Sequence, residues 1–192
     1  MSPLAQQIAS LLRPLSDFYT DAGDALPEIR QIDGDAMPQP YRRLLVHATD
    51  MTPTLEAFCG DQIHLRQLKV RQDGDELYRE VTLVTDHGEK HMEFGAIRIH
   101  LNRFTEAARS QILEGRVPLG TILRLHAMPH HSKPRAYFSL ISEPVIAEAL
   151  NISRGCRLYG RHNVLYNPAD QPLAEVVEIL PVFDSSGDGA AS

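Results

Sequence analysis

Residues 156–181 read CRLYGRHNVLYNPADQPLAEVVEILP, and this stretch decides the fold class. Two apolar runs, at 156–166 and 172–181, flank the tetrapeptide NPAD at 167–170. Asn, Pro and Asp favour a tight turn, and the β-branched and aromatic residues on either side favour strands. Two strands joined by a short turn pair in antiparallel fashion. The stretch therefore predicts a β-hairpin.

Working outward, the pattern of a second hairpin lies upstream, where apolar runs at 76–85 and 92–101 flank the turn sequence DHGEK at 86–90. Further strands are predicted at 62–70 and 135–142, and helical spacing predicts helices at 40–48, 52–58, 103–113 and 119–126. Strands joined by short turns, with helices inserted in blocks, are typical of an α+β protein. We expect a single antiparallel sheet of about six strands. A doubly wound parallel sheet is disfavoured, because strands and helices do not alternate and no glycine-rich phosphate loop occurs.

Composition narrows the class of protein. Of the 192 residues, 43% are hydrophobic and 23% charged, as in soluble globular proteins. Nineteen basic and 25 acidic residues give a formal net charge of −6, which offers no basic footprint for nucleic acid. No apolar run approaches the roughly 18 residues that a membrane span needs. Cys59 and Cys156 form no framework, and we expect reduced thiols in a cytoplasmic protein.

The chain divides into three segments by composition. Residues 1–39 are interpreted as one short amphipathic helix followed by a connection rich in Asp, Gly and Pro. Residues 40–183 carry the predicted strands and helices of one domain. Residues 184–192, DSSGDGAAS, are predicted to form a disordered tail.

A histidine cluster raises the question of a metal site. His126, His130 and His131 lie together in HAMPHH. Pro129 breaks any helix that would align them, and no Cys, Asp or Glu lies nearby to complete a ligand set. We therefore expect no metal here.

Charged residues inside apolar strands are more informative. Arg79 lies in LYREVTLV, Arg98 in GAIRIHL, and Glu175 and Glu178 in LAEVVEILP. A charge on a buried strand face is costly unless it is paired or holds a ligand. The alternative is that these residues face solvent or pair with one another. Alternation does not separate the two glutamates, because both faces of their strand are mostly apolar.

Four segments together resemble the chorismate lyase family. They are TDMTPTLEAFCGDQIHL at 49–65, LYREVTLV at 77–84, GRVPLGTIL at 115–123 and the hairpin at 156–181. They stand in family order across roughly residues 40–181. Members of that family split chorismate into 4-hydroxybenzoate and pyruvate without a cofactor. The resemblance implies an antiparallel sheet whose face, with covering helices, encloses the ligand completely.

The resemblance also implies site residues. Arg79 matches the arginine that grips the ring carboxylate, and the backbone of Leu119 matches the lining of that carboxylate pocket. Glu178 matches the glutamate at the opposite, hydroxyl end, where a carboxyl group can carry a proton. Met51 matches a methionine that covers the ligand. Arg79 and Glu178 are thus the implied catalytic residues.

One position departs from the family pattern. Better-known members carry an arginine near the glycine of the second hairpin strand, where Ala96 stands here. Arg98 lies two residues further, on the same face as Ala96 by the period of two, and is a candidate replacement. Glu175 remains an alternative to Glu178.

The resemblance therefore implies a cytoplasmic chorismate lyase that serves ubiquinone or aromatic secondary metabolism. Its expected partner is a small molecule, with no metal, nucleic acid or membrane span, and the protein is expected to be a monomer or dimer. The alternative is a non-catalytic protein that binds an aromatic acid, as the effector domains of bacterial transcription regulators bind metabolites. An enzyme acting on a related enolpyruvyl or hydroxybenzoate compound is a third reading.

Overall fold

The computed structural model describes residues 3–183, so the expected tail at 184–192 lies outside the described residues. Within that range the chain forms a seven-stranded antiparallel sheet with helices on both faces, which confirms the predicted α+β class. The strand order across the sheet is β1-β5-β6-β7-β4-β3-β2. The strands are β1 (Ile29–Ile32), β2 (Ile63–Asp73), β3 (Glu76–Thr85), β4 (His91–His100), β5 (His131–Ile141), β6 (Arg157–Tyr166) and β7 (Pro172–Leu180).

Seven α-helices accompany the sheet in this part of the chain. They are α1 (Pro3–Leu11), α2 (Leu15–Ala22), α3 (Tyr41–Leu45), α4 (Met51–Cys59), α5 (Glu106–Glu114), α6 (Leu119–Leu125) and α7 (Pro144–Leu150). Side-chain caps fix two of the starts. The Thr105 hydroxyl accepts a hydrogen bond from the amide of Ala108, and the Glu143 carboxylate accepts from the first amides of α7.

The expected count of about six strands was one short. The additional strand, β1, comes from the segment that was interpreted as a connection, and it pairs with β5 at the edge of the sheet. Its four residues are all partly or fully exposed, so they carry no run of buried side chains that would mark a strand. The single helix expected at the N-terminus is two helices, because Pro14 lacks the amide that would continue α1 into α2.

The two faces of the sheet pack against different helices. One face, which we call the core face, carries Phe94, Ala96 and Val177 and packs against α1, α2 and α7. The opposite face, which we call the cavity face, packs against α3 and α4 over one half and against α5 and α6 over the other. Burial of apolar area on both faces stabilises the sheet.

Strand register brings the predicted site residues onto the cavity face. Arg79 of β3 lies opposite Ile97 of β4, and Ile97 lies opposite Val176 of β7. Glu178, two residues along β7, lies opposite Gly95. Because side chains alternate between faces, Arg79 and Glu178 project from the same side of the sheet.

Composition also gave expectations about membrane spans and about the two cysteines. None of the helices described for residues 3–183 is long and apolar enough to cross a membrane. Cys59 and Cys156 are both free thiols and both partly buried.

Candidate functional site

A cavity lies between the cavity face and the first turns of α4 and α6. The space open to the centre of a water molecule is about 80 Å³. This is several times the space that one water needs. Most lining side chains are apolar. Six are polar or charged, namely Asp50, Thr52, Arg79, Glu93, Asn163 and Glu178. Three lining residues are partly exposed and mark the mouth: Asp50, Leu65 and Gly120.

Arg79 forms one pole of the cavity. The residue is only 1% exposed, and its Nη1 donates to the carbonyl oxygen of Ile112 near the C-terminus of α5, at 3.1 Å. Its Nε is buried without a hydrogen-bond partner, and no carboxylate within residues 3–183 pairs with it. Burial lowers the pKa of Arg79 to about 10, so the side chain stays charged at neutral pH. A buried cation without a counterion, at the wall of a cavity, is suited to hold an anion.

Glu178 lies toward the other pole. Two strand spacings separate it from Arg79, about 10 Å across the sheet, with a further offset of about 7 Å along the strands. Its carboxylate accepts a hydrogen bond from Nε of Arg161, the residue directly opposite on β6. Arg161 is fully buried, and its Nη1 also donates to the carbonyl oxygens of Leu45 and His47, each at 3.0 Å. The charge of Glu178 is therefore matched inside the protein, whereas that of Arg79 is not.

Glu93 is a second carboxyl group at the Glu178 pole. It lies on β4 two residues before Gly95, which is opposite Glu178, so the two glutamates are diagonal neighbours on the cavity face. Glu93 is 4% exposed, and its Oε2 is buried without a partner. Burial and the nearby Glu178 carboxylate raise the pKa of Glu93 well above its ordinary 4.5, and Arg161 opposes them only in part. The uncharged form of Glu93 is favoured in the fold.

Met51 and Leu119 close the cavity from the helix side. Met51 is the first residue of α4 and Leu119 the first residue of α6, and both are buried. At the mouth, Asp50 pairs with His130, whose Nε2 lies 3.0 Å from the nearer carboxylate oxygen. This pair joins the start of α4 to the segment that precedes β5.

Arg98 does not reach the cavity, so the prediction that it replaces the missing arginine there was wrong. It lies opposite Tyr78 and Glu175, one residue out of step with the cavity face, and its guanidinium pairs with Glu76. The expectation counted the period of two from Ala96. Ala96 itself packs in the core face, so the count led to the wrong side.

The structure decides which glutamate of β7 belongs to the cavity. Glu178 lines the cavity, and Glu175 projects from the opposite face, across from Arg98. Alternation alone left both open because neither face of β7 reads as polar.

The histidines of HAMPHH each have a separate partner. His126 hydrogen-bonds to Gln111, His130 to Asp50, and His131 pairs with Asp170. Within residues 3–183, no group of three His, Cys, Asp or Glu side chains has an arrangement that could hold a metal ion.

Sequence reasoning missed Glu93, Arg161 and Asn163 as site residues. The signal for Glu93 was available, since HMEFGAI places a glutamate in an apolar strand in the same manner as LYREV places Arg79. Arg161 lies in YGRH, within the hairpin segment 156–181 that contributed to the family resemblance, but the resemblance gave it no role. Asn163 accepts a hydrogen bond from the Ser132 hydroxyl at 2.9 Å, a contact that no sequence pattern announces.

Comparisons with known proteins bear on the fold. No family model matches the chain, and no curated protein matches it. Among solved structures, PhnF from Mycobacterium smegmatis matches with a TM-score of 0.53 and 10% identity, over 73% of this chain and 71% of PhnF. The separately solved effector domain of PhnF matches with a TM-score of 0.53 and 11% identity, over 69% of this chain and 88% of that domain. A gene product, SA0254, from Staphylococcus aureus matches with a TM-score of 0.50 and 11% identity, over 62% and 82%.

The chain shares the fold of the PhnF effector domain. That fold is chorismate lyase-like, as the sequence resemblance implied. At 10–11% identity the likeness concerns the fold and leaves the ligand and the activity to be argued from the site.

Proposed function

We propose that this protein binds a small carboxylic acid, of the size of an aromatic acid, in the cavity beneath α4 and α6. The observation that carries the proposal is Arg79, a buried guanidinium that lines an otherwise mostly apolar space and has no acidic partner within residues 3–183. A planar guanidinium matches a carboxylate in two parallel hydrogen bonds, and its unpartnered Nε is available for one of them. The neighbour named as an effector domain supports a binding role for the fold.

The binding role is tested with 4-hydroxybenzoate and isothermal titration calorimetry. We expect binding by the wild type and a loss of about 2–4 kcal/mol in Arg79→Met, which is roughly 30- to 1000-fold in Kd, because two charge-assisted hydrogen bonds are removed. Arg66→Met, at an exposed position of β2, is the matched control and should bind as the wild type does. Equal affinity in Arg79→Met and wild type would contradict the proposal.

A second candidate is turnover of chorismate to 4-hydroxybenzoate and pyruvate. The observation in its favour is the carboxyl pair Glu93 and Glu178 at the pole opposite Arg79, because a buried carboxyl group that holds a proton is suited to act as a general acid. The loss of a proton from the ring, departure of the enolpyruvyl oxygen and aromatisation need no cofactor.

The two candidates separate in one assay. Wild-type protein is incubated with chorismate, and pyruvate release is followed with a coupled enzyme. Release that falls by 10²- to 10⁴-fold in Glu178→Gln, with little change in 4-hydroxybenzoate affinity, would establish the lyase. Binding of the aromatic acid without pyruvate release would leave the binding role alone.

A further inference from the structure

Among the described residues, 3–183, one cation at the cavity is free to meet a ligand. Its charged lining residues are Asp50, Arg79, Glu93 and Glu178. Arg79 is the basic member of this set, and no acid within residues 3–183 neutralises it. One negative charge of a ligand can therefore pair with Arg79, whereas a second negative charge would have to find its partner elsewhere in the cavity.

At the pole opposite Arg79, the cationic charge is already committed. Arg161 pairs with Glu178 through Nε and donates through Nη1 to two main-chain carbonyls. Its Nη2 is buried without a partner, but Arg161 is not among the residues that line the cavity. A ligand carboxylate at this pole would face the carboxylate of Glu178 instead.

Glu93 adds to the same effect. Its side chain lies beside Gly95, where the missing Cβ would come within 3.1 Å of Glu93 Oε1, so the carboxyl group lies over the floor of the cavity. Its Oε2 has no hydrogen-bond donor within the described part of the chain. A carboxyl group in this position can donate a hydrogen bond to a neutral ligand group when protonated, but it has nothing favourable to offer a second anion.

The remaining charged groups around the cavity, within residues 3–183, do not supply another cation. Asp50 at the mouth is paired with His130, and Arg98 lies on the core face with Glu76. Arg98 was expected to replace a second arginine, but it lies outside the cavity and cannot meet a ligand there.

We propose that the cavity selects acids that carry a single negative charge, with Arg79 holding the carboxylate and the carboxyl groups of Glu93 and Glu178 facing a neutral hydroxyl or amide at the other pole. This inference rests on the proposed carboxylate-binding function and names its ligand class. Burial of a second, unpaired carboxylate beside Glu178 would be strongly unfavourable. Dianionic acids, a class that includes chorismate, are then poor ligands.

The test compares two ligands of equal size and different charge. Terephthalate and its monoamide, 4-carbamoylbenzoate, have the same shape, but the first is a dianion and the second a monoanion at neutral pH. We expect the wild type to bind 4-carbamoylbenzoate and 4-hydroxybenzoate and to bind terephthalate at least about 30-fold more weakly.

Each other outcome overturns the inference in a recognisable way. Equal binding of terephthalate and its monoamide, both dependent on Arg79, would leave carboxylate binding intact and reject the charge selection. Rejection of both, with 4-hydroxybenzoate still bound, would mean that size decides and not charge. No binding of any of the three acids would reject the proposed function together with the inference.

Two glutamine variants add readouts that do not depend on the wild-type comparison. Glu178→Gln removes the carboxylate that a second ligand charge would face, so terephthalate affinity should rise by about 10-fold or more relative to 4-carbamoylbenzoate. Glu175→Gln, on the same strand but the opposite face, is the control and should leave the ratio of the two affinities unchanged.

Glu93 is observed directly by infrared spectroscopy of the ligand-free protein at neutral pH. We expect a carbonyl stretch of a protonated carboxylic acid that disappears in Glu93→Gln and persists in Glu175→Gln. Absence of that band in the wild type would overturn the role assigned to Glu93.

Discussion

Arg79 shows, at the level of a single residue, how a group suited to bind a ligand can oppose folding. Its buried guanidinium lacks an acid partner within residues 3–183 and leaves Nε unsatisfied, which destabilises the ligand-free protein. We expect Arg79→Met to leave the free energy of unfolding within about 1 kcal/mol of the wild type, or to raise it, while carboxylate binding is lost. Urea denaturation of the ligand-free proteins measures this. A loss of 3 kcal/mol or more would mean that Arg79 is a structural residue.

Two strand glycines give opposite expectations for the same substitution. A Cβ at Gly160 would lie 2.6 Å from the main-chain oxygen of Glu178 and 2.8 Å from the ring of Phe138. A Cβ at Gly95 would meet nothing closer than 3.1 Å, and that contact is the end of the Glu93 side chain. We expect Gly160→Ala to lose about 3 kcal/mol or more, because the backbone cannot give way.

Gly95→Ala should fold within about 1 kcal/mol of the wild type, since the Glu93 side chain can shift. It should bind 4-hydroxybenzoate more weakly, because the methyl group enters the cavity floor. Thermal melts and calorimetry on both alanine variants check the pair, and equal stability of the two would contradict the contacts described at Gly160.

How far the sequence predicted individual residues depends on whether they act alone. A charge within an apolar strand is visible without knowing the neighbours, and it drew attention to Arg79, Arg98, Glu175 and Glu178. The family resemblance then selected Arg79 and Glu178 among the four. Arg161 was not assigned, because its meaning comes from lying opposite Glu178, and strand register across β6 and β7 is not visible in either strand alone. Arg98 was misassigned for the same reason, since the period of two was counted from a residue on the core face.

At the level of elements, the Asp50–His130 pair ties α4 to the segment before β5 at the cavity mouth. Burial lowers the pKa of His130, but hydrogen bonds to the Met128 carbonyl and to Asp50 outweigh it and raise the pKa above its ordinary 6.5. A group whose pKa is raised by folding contributes stability at pH values below its ordinary pKa and loses it as pH rises through the raised value.

We therefore expect His130→Gln to lower the free energy of unfolding by about 0.5–1 kcal/mol at pH 5.5. The effect should be clearly smaller at pH 9, because the Asp50–His130 pair is charged only in the acidic range. Denaturant titrations at the two pH values measure the difference. His64→Gln, which removes the more exposed pair with Asp86, is the control with a smaller effect at pH 5.5. A cost of His130→Gln that grows with pH would refute the assignment.

The two hairpins were predicted nearly to the residue, whereas β1 and α7 were missed. β3–β4 and β6–β7 combine long apolar runs with a short turn, so local signals agree. β1 has four residues and takes its strand character from pairing with β5, a contact distant in sequence. For α7 a signal existed, namely Glu143 followed by Pro144 at the first helical position.

For the whole molecule, the sheet places α1, α2 and α7 on one side and the cavity on the other. Leu15 of α2 is fully buried against the core face, whereas the cavity lies on the other side. We expect Leu15→Ala to lower the free energy of unfolding by about 2–5 kcal/mol and to leave ligand affinity of the folded protein within about threefold. Leu125→Ala, at a leucine 64% exposed, should change stability by less than about 0.5 kcal/mol. Urea denaturation and calorimetry check both, and a parallel loss of affinity in Leu15→Ala would show that the faces are coupled.

The division between the two faces also bears on how such a protein can change over evolution. Residues that line the cavity lie on one side of β3, β4 and β7, and residues that pack against α1, α2 and α7 lie on the other. Alternation along each strand lets one position drift while its neighbours are conserved. A library that exchanges Val81, Ile97, Leu165 and Val176 for other apolar residues at similar total volume, with Arg79, Glu93 and Glu178 retained, should therefore yield many folded members with altered preferences among acids. In a sheet built this way, apolar side chains around the cavity can be exchanged while those that hold α1, α2 and α7 are kept.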